Sequence, residues 1–203
     1  MNTLSRMIST TVLAVASLGM AAELVGPGPG NSSHLPSQMA ADILREYSSS
    51  DAAFLAAGLV KSEYQQDNLA SLLIYPDDEL VILSLKGSQI RAALERSMSL
   101  YPEENPCFLQ LSGIEVSATA AAQPNKRINS ILVGGSKLDD AKTYRVAMPS
   151  SLGRGGMGYL KVWGKTDITK TYANVTVGSI LSGKKYLTLT PRWTIATATS
   201  GGG

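Results

Sequence analysis

Between residues 37 and 148, the pattern of apolar residues alternates between one typical of helices and one typical of strands, which limits the folds that the chain can adopt. Apolar residues at helical spacing predict helices over 37–47 and 88–98. Short, nearly continuous apolar runs predict strands instead, and these runs lie at 51–57, 79–85, 108–111, 114–118, 127–133 and 144–148. The sequence therefore predicts an α+β fold, a mixed sheet with packed helices.

Polar residues and glycines predict where these elements begin and end. Ser37 and Ser88 are expected to cap the two helices, and Asp67 to begin a short helix that ends at Leu73. The pair Gly134-Gly135 follows the run 127–133, so we expect that run and 144–148 to form a hairpin-like pair with a longer connection.

Length and composition indicate one globular domain, over residues 37–195. The chain has 203 residues, of which 44% are hydrophobic, enough for one substantial core and too few for two. Its net charge is only +2, and its lysines and arginines are spread along the chain. A nucleic-acid partner is not expected, because phosphate backbones select clustered positive charge.

The two ends differ from this domain in composition. Residues 1–22 combine Arg6 with an apolar run over 11–21, a pattern typical of an export signal or, alternatively, a signal anchor that tethers the chain to a membrane. Glycine and proline predict a linker over 23–36, and residues 196–203 a flexible tail. We expect export to the periplasm or the extracellular space, with membrane anchoring as the alternative.

Few residues are available for chemistry. His34 is the single histidine and falls in the predicted linker, where a solvated position is expected. Cys107 is the single cysteine, so it forms no internal disulfide, and its apolar neighbours favour a small buried side chain. No triad, phosphate loop or metal-ligand cluster can be assembled from these residues. We therefore expect no catalytic residue, no metal and no cofactor.

The order of the segments resembles the C-terminal domain of the 5′-nucleotidase family. The resemblance covers residues 37 to 195 and rests on five stretches in the family's order. These are SQMAADILREYSSSDAAFLAAGLVK (37–61), DNLASLLIYPDDELVILSLKGSQIRAALERSM (67–98), CFLQLSGIEVSA (107–118), RINSILVGGSKLDDAKTYRVAMPSSLGRGGMGYLKVW (127–163) and TVGSILSGKKYLTLTPRWTI (176–195).

The resemblance implies that the two domains of full-length family members have different functions. Full-length members pair an N-terminal metallophosphoesterase domain, which holds two metal ions, with a C-terminal domain that grips the nucleoside. Only the second part matches this chain, which implies that the chain is not an enzyme on its own.

The family's nucleoside clamp sandwiches the base between two aromatic rings, and Phe108 and Tyr159 match those ring positions. Three polar positions differ: Lys61 stands where the family has arginine, Asp77 where it has asparagine, and Met157, after Gly155-Gly156, where it has aspartate. An alternative is that both rings are structural aromatics and that Gly155 and Gly156 form a turn.

These departures give two expectations about function. The first is an exported, non-catalytic accessory or scaffold subunit of a membrane-associated or periplasmic assembly, with a protein partner. The alternative is a nucleoside- or nucleotide-binding module that serves a separate hydrolase in nucleotide catabolism.

Overall fold

The computed structural model describes residues 28–187 and 190–197. A five-stranded mixed sheet, in the order β3-β1-β7-β2-β8, forms the centre of the fold. Its strands are β1 (Ala52–Ala56), β2 (Glu79–Lys86), β3 (Leu109–Ser112), β7 (Thr143–Pro149) and β8 (Ile168–Thr176). Strands β1 and β7 run parallel, whereas β3 pairs antiparallel with β1, and β2 pairs antiparallel with both β7 and β8. All five residues of β1 are buried, as expected of a strand covered on both faces.

A second sheet of four strands, in the order β6-β5-β4-β9, lies beside the first. It contains β4 (Ile114–Thr119), β5 (Ile128–Val133), β6 (Ser136–Lys137) and β9 (Trp193–Ala196). Buried and more exposed residues alternate along β4, so one face of this sheet contributes to the core.

Helices cover the central sheet. Helix α1 (Leu35–Ser48) packs on β1, β3 and β7, and α2 (Gly87–Ser97) and α3 (Ser150–Gly153) pack on β2. The short α4 (Val177–Leu181) packs on α1 and on a 3₁₀ turn over Leu69–Leu72; another 3₁₀ turn spans Ala57–Leu59 and a third Lys165–Asp167. The predicted α+β class, a mixed sheet with packed helices, is confirmed.

The helices begin earlier than predicted. Helix α1 starts at Leu35, with His34 rather than Ser37 at its N-cap, because Pro36 fits the first turn, where an amide hydrogen has no partner in the helix. Helix α2 starts at Gly87, one residue before the predicted cap Ser88, and the Gln89 side chain accepts a hydrogen bond from the Lys86 amide at 2.9 Å. Asp67 does not cap the 3₁₀ turn, which follows Asn68.

The predicted pairing of 127–133 with 144–148 is wrong. The first run is β5, which turns at Gly134-Gly135 into β6 and also pairs with β4. The second run is β7, which lies between β1 and β2 in the other sheet. A strand needs long-range partners on both sides to become central, and adjacent sequence does not reveal them.

The prediction of a linker over 23–36 is wrong for residues 28–36, which pack on the domain. The Asn105 amide donates to the Gly30 carbonyl at 2.8 Å, and Gln110 Nε2 donates to the carbonyls of Pro29 and Ser32, each at 2.8 Å. At the other end, β9 extends one residue into the predicted tail, to Ala196. The predicted export segment lies outside the described residues.

Candidate ligand-binding site

The sheet topology brings all six predicted site residues to one end of the central sheet, which we call the loop end. Lys61 follows the carboxyl end of β1, and Asp77 precedes the amino end of β2. Phe108 directly precedes β3, while Gly155, Gly156 and Tyr159 follow the carboxyl end of β7. These strand ends coincide, because β1 and β7 run opposite to β2 and β3.

Tyr159 is fully buried at the loop end. Its ring stacks on Trp163 with the centroids 4.4 Å apart and the planes 1° from parallel. The phenol donates to the Cys107 carbonyl at 2.5 Å and lies 3.3 Å from Ser97 Oγ on α2. Burial raises the pKa of Tyr159 well above its usual value, because the phenolate would lose hydration. The ring and its hydroxyl are therefore both engaged inside the protein.

Phe108 is also fully buried, but it belongs to a different aromatic pair. Its ring lies 4.7 Å from Trp193 of β9, at an interplanar angle of 39°. Trp193 Nε1 donates to the Leu109 carbonyl at 2.8 Å, which fixes the indole beside the phenylalanine. Neither Phe108 nor Tyr159 is open to solvent, so the described residues do not form the open two-ring cleft that the clamp hypothesis requires.

The loops at this end nevertheless contact one another closely. A Cβ on Gly58 would lie 2.7 Å from Met157 Sδ and 3.1 Å from Pro106 Cβ. Met157, which replaces the family's aspartate, therefore fills the space between the loops after β1, before β3 and after β7. An apolar thioether in this position provides packing rather than a strong hydrogen-bond acceptor.

Gly155 and Gly156 shape the last of these loops. Gly155 has φ +91°, which L side chains rarely adopt, and a Cβ on Gly156 would lie 2.5 Å from the Ser151 carbonyl oxygen. Both glycines are thus required by backbone geometry, which supports the turn alternative.

The two predicted polar positions have a different environment from the rings. Lys61 and Asp77 are both exposed. Next to Asp77, Asp78 is partly buried: it accepts a hydrogen bond from Ser150 Oγ at 3.1 Å and another from the Ser151 amide at 3.3 Å. These bonds fix the loop before β2 to the start of α3. Asp78 therefore has a structural role that the sequence did not reveal.

Three further residues at these aromatic pairs were not predicted. Trp163 and Trp193 cover the two rings, and the guanidinium carbon of Arg96 lies 5.6 Å from the Tyr159 centroid. Arg96 Nη2 is 3.6 Å from Cys107 Sγ, and its Nε is buried without a hydrogen-bond partner in the described structure. Trp163 lies four residues after Tyr159, so this pair is local. The contacts of Trp193 and Arg96 join segments far apart in sequence, and spacing along the chain gave no signal for them.

Two absences hold within the described residues, 28–187 and 190–197. Among them, no three His, Cys, Asp or Glu side chains are grouped to hold a metal ion. No helix in the same ranges is long and apolar enough to cross a membrane.

The fold and the loop end define an α+β domain with its predicted site residues on loops beyond one end of a mixed sheet. The family model of the 5′-nucleotidase C-terminal domain matches residues 30–163. That match covers well over half of the chain, and the chain belongs to this family.

Individual relatives agree with this assignment. A 5′-nucleotidase-related protein of Glossina morsitans morsitans is 36% identical over 120 residues, which are 53% of this chain and 22% of that protein. A snake venom 5′-nucleotidase of Naja atra is 35% identical over 94 residues, 42% of this chain and 18% of the venom protein. The chain thus spans about a fifth of the length of these curated relatives.

Solved structures share the fold at low identity. A 5′-nucleotidase precursor of Thermus thermophilus superposes with a TM-score of 0.66 at 20% identity, over 81% of this chain and 36% of that one. The NAD nucleotidase of Haemophilus influenzae gives a TM-score of 0.62 at 17% identity, over 86% and 37% of the two chains. The matched region corresponds to the C-terminal part of a hydrolase family.

Proposed function

We propose that this domain acts as a non-catalytic accessory or scaffold subunit, which binds a protein partner through its loop end. The observation that supports this most strongly is the burial of both candidate clamp rings, Phe108 and Tyr159, against indoles. A stacked base gains about 1–3 kcal/mol per ring only if the ring faces are accessible. Here the ring faces already contribute to the stability of the domain.

The exposed side chains of the loop end favour a protein partner. Ile74 and Tyr75, in the loop before β2, are 40% and 56% exposed, and Leu160, beside Gly155, is 73% exposed. Exposed aromatic and aliphatic side chains of this kind are enriched where proteins bind one another. The catalytic part of a 5′-nucleotidase-type hydrolase is the partner that the family suggests.

An exported location is part of the same proposal. It is supported by the pattern of residues 1–22 and by relatives described as snake venom proteins or as a precursor. In this setting the domain would belong to a periplasmic or extracellular assembly.

A pair of matched variants tests the partner surface. The tagged chain is purified from its source under native conditions, and its size is compared with the 21.4 kDa of the monomer. We expect the wild type in a larger complex, Tyr75→Glu as the free monomer, and Tyr47→Glu still in the complex. Tyr47 is a suitable control because it is 49% exposed and lies at the C-terminal end of α1, away from the loop end. Recovery of the wild type only as a monomer would contradict the proposal.

The alternative is a nucleoside- or nucleotide-binding module, which the convergence of the six predicted residues at one end of the sheet favours. Calorimetric titration with adenosine separates the two functions. The scaffold proposal predicts no heat of binding at millimolar nucleoside and no phosphate release from nucleotides in the presence of added divalent metal. Saturable binding that is lost in Lys61→Ala, at an exposed candidate residue, but kept in Tyr47→Ala would instead establish the module.

A further inference from the structure

Two short sequence motifs of this chain have the pattern of acceptors for asparagine-linked glycosylation: asparagine, any residue except proline, and then serine or threonine. They are Asn31-Ser32-Ser33 and Asn174-Val175-Thr176, and no other triplet of the 203 residues has this pattern. Such triplets also occur by chance, so the motif alone does not identify a modification site. The surroundings of each asparagine distinguish the two.

Asn174 lies in an exposed bulge at one edge of the central sheet. It belongs to β8, the last strand of that sheet, and its side chain is exposed. Thr171 and Thr176 of β8 pair with residues 81 and 79 of β2, only two positions apart, so the intervening part of β8 forms a bulge. The backbone of Asn174 is in the left-handed region, with φ +63°, which asparagine tolerates better than most residues.

The side-chain amide of Asn174 is available for modification. It forms no hydrogen bond with any residue in the ranges 28–187 and 190–197, whereas the backbone amide of Asn174 donates to Glu79 Oε1 at 3.4 Å. No strand of the sheet lies beyond β8. A bulky, hydrophilic glycan on Asn174 Nδ2 would therefore extend into solvent without displacing a contact of the fold.

Asn31 has a different environment. It is partly buried, and its Nδ2 donates to the Pro102 carbonyl at 3.1 Å. The hydroxyl of Ser33, the third residue of the motif, accepts hydrogen bonds from the amides of Arg192 and Trp193, at 3.1 and 3.0 Å. Both polar side chains of this motif thus hold residues 28–33 against the domain, and a glycan on Nδ2 would disturb that packing.

We propose that Asn174 carries an asparagine-linked glycan in the exported protein and that Asn31 does not. The donor is a lipid-linked oligosaccharyl diphosphate. Asn174 Nδ2 forms a bond to the anomeric carbon of the first sugar, the bond from this carbon to the diphosphate oxygen breaks, and Nδ2 gives up one proton as the lipid diphosphate leaves. An oligosaccharyltransferase of the secretory pathway performs this step, so the inference rests on the exported location proposed above.

A glycan at this position also has a physical role. The edge strand of a sheet presents unpaired backbone N–H and C=O groups, which can pair with a strand of a second chain. Charged side chains commonly protect such edges, but Lys170 is the only charged residue among the nine of β8. The glycan would prevent the close approach of another strand, so we expect it to keep the domain from associating through β8.

Intact mass spectrometry of the tagged full chain, purified from its source, tests the site. We expect peptide N-glycosidase to lower the mass of the wild type by that of one glycan and to convert Asn174 to aspartate. Thr176→Ser keeps the motif and should keep the glycan, whereas Asn174→Asp, which tolerates the positive φ, should lose it. Asn31→Asp is the matched control and should carry the same glycan as the wild type.

The outcomes separate the glycan from the exported location. A wild-type chain recovered outside the cytoplasm without a glycan, or with one on Asn31, would overturn the proposal and leave the exported location intact. A chain recovered only from the cytoplasm would contradict both. Light scattering tests the role at the edge: after native deglycosylation of the wild type we expect the particle mass to rise, and an unchanged mass would contradict that role.

Discussion

The packing of Trp163 gives the sharpest test of the candidate site. The indole is 2% exposed, stacks on Tyr159 at 4.4 Å and lies 6.0 Å from Phe54, and its Nε1 donates to the Leu152 carbonyl at 2.8 Å. Trp163→Ala leaves a cavity beside both rings, so we expect the free energy of unfolding to fall by about 3–5 kcal/mol. Trp163→Phe keeps most of the buried area but leaves the carbonyl unpaired, with an expected loss of about 1–3 kcal/mol.

Urea unfolding followed by far-ultraviolet circular dichroism measures these losses without relying on tryptophan fluorescence. Leu100→Ala is the control, because Leu100 is 53% exposed and should change stability by no more than about 0.5 kcal/mol. If Trp163→Ala lowered the free energy of unfolding no more than Leu100→Ala, Tyr159 would not be held in a packed core, and its ring would be free to form an open clamp.

Backbone geometry and the buried phenol provide two further tests. Gly113→Ala should destabilise the domain by at least about 1 kcal/mol, because Gly113 has φ +71° and its new Cβ would lie 2.3 Å from the Asp51 carbonyl oxygen. The matched control in the same urea assay is Gly164→Ala, because the atom nearest to its new Cβ would be 3.9 Å away. Equal stability of the two variants would contradict this prediction. Because burial raises the pKa of Tyr159, its contribution to the free energy of unfolding should be fully present below pH 10 and should decrease as the pH rises above 10, where only the phenol of the unfolded chain ionises. Urea unfolding from pH 8 to 11 should show a smaller decrease in Tyr159→Phe than in the wild type. An identical decrease in both proteins would refute this expectation.

Local patterns predicted the elements better than their connections. The apolar runs located β1, β2, β4 and β5 to within a residue or two, because period and composition report burial directly. They did not reveal that β7 enters the central sheet. That placement depends on β1 and β2, which lie far from β7 in sequence and contribute nothing to its local pattern.

The candidate site shows the same difference between what local sequence predicts and what long-range contacts decide. The sequence predicts that Phe108 and Tyr159 lie near each other, and the structure does bring their loops together, with the Tyr159 hydroxyl on the Cys107 carbonyl. Trp193, the partner of Phe108, could not be identified without the fold, whereas Trp163 lies only four residues after Tyr159. A base-stacking ring and a core ring have the same sequence signature, and only the contacts on the ring faces distinguish them.

At the amino end, the sequence predicted the conformation of residues 28–36 only in part. Glycine and proline in the preceding residues correctly indicate a segment without regular structure, but not whether that segment packs on the domain. Buried Gln110 and the Ser33 hydroxyl supply the hydrogen bonds that hold it in place.

The sequence by itself determined the α+β class through local periodicity and indicated the family through the order of motifs, and the candidate residues of the loop end came from the resemblance to that family. Tertiary structure alone decided that both aromatic rings are covered and that residues 28–36 belong to the domain. Those outcomes depend on contacts between segments as many as 160 positions apart, such as Ser33 with Trp193, and no local pattern encodes such contacts.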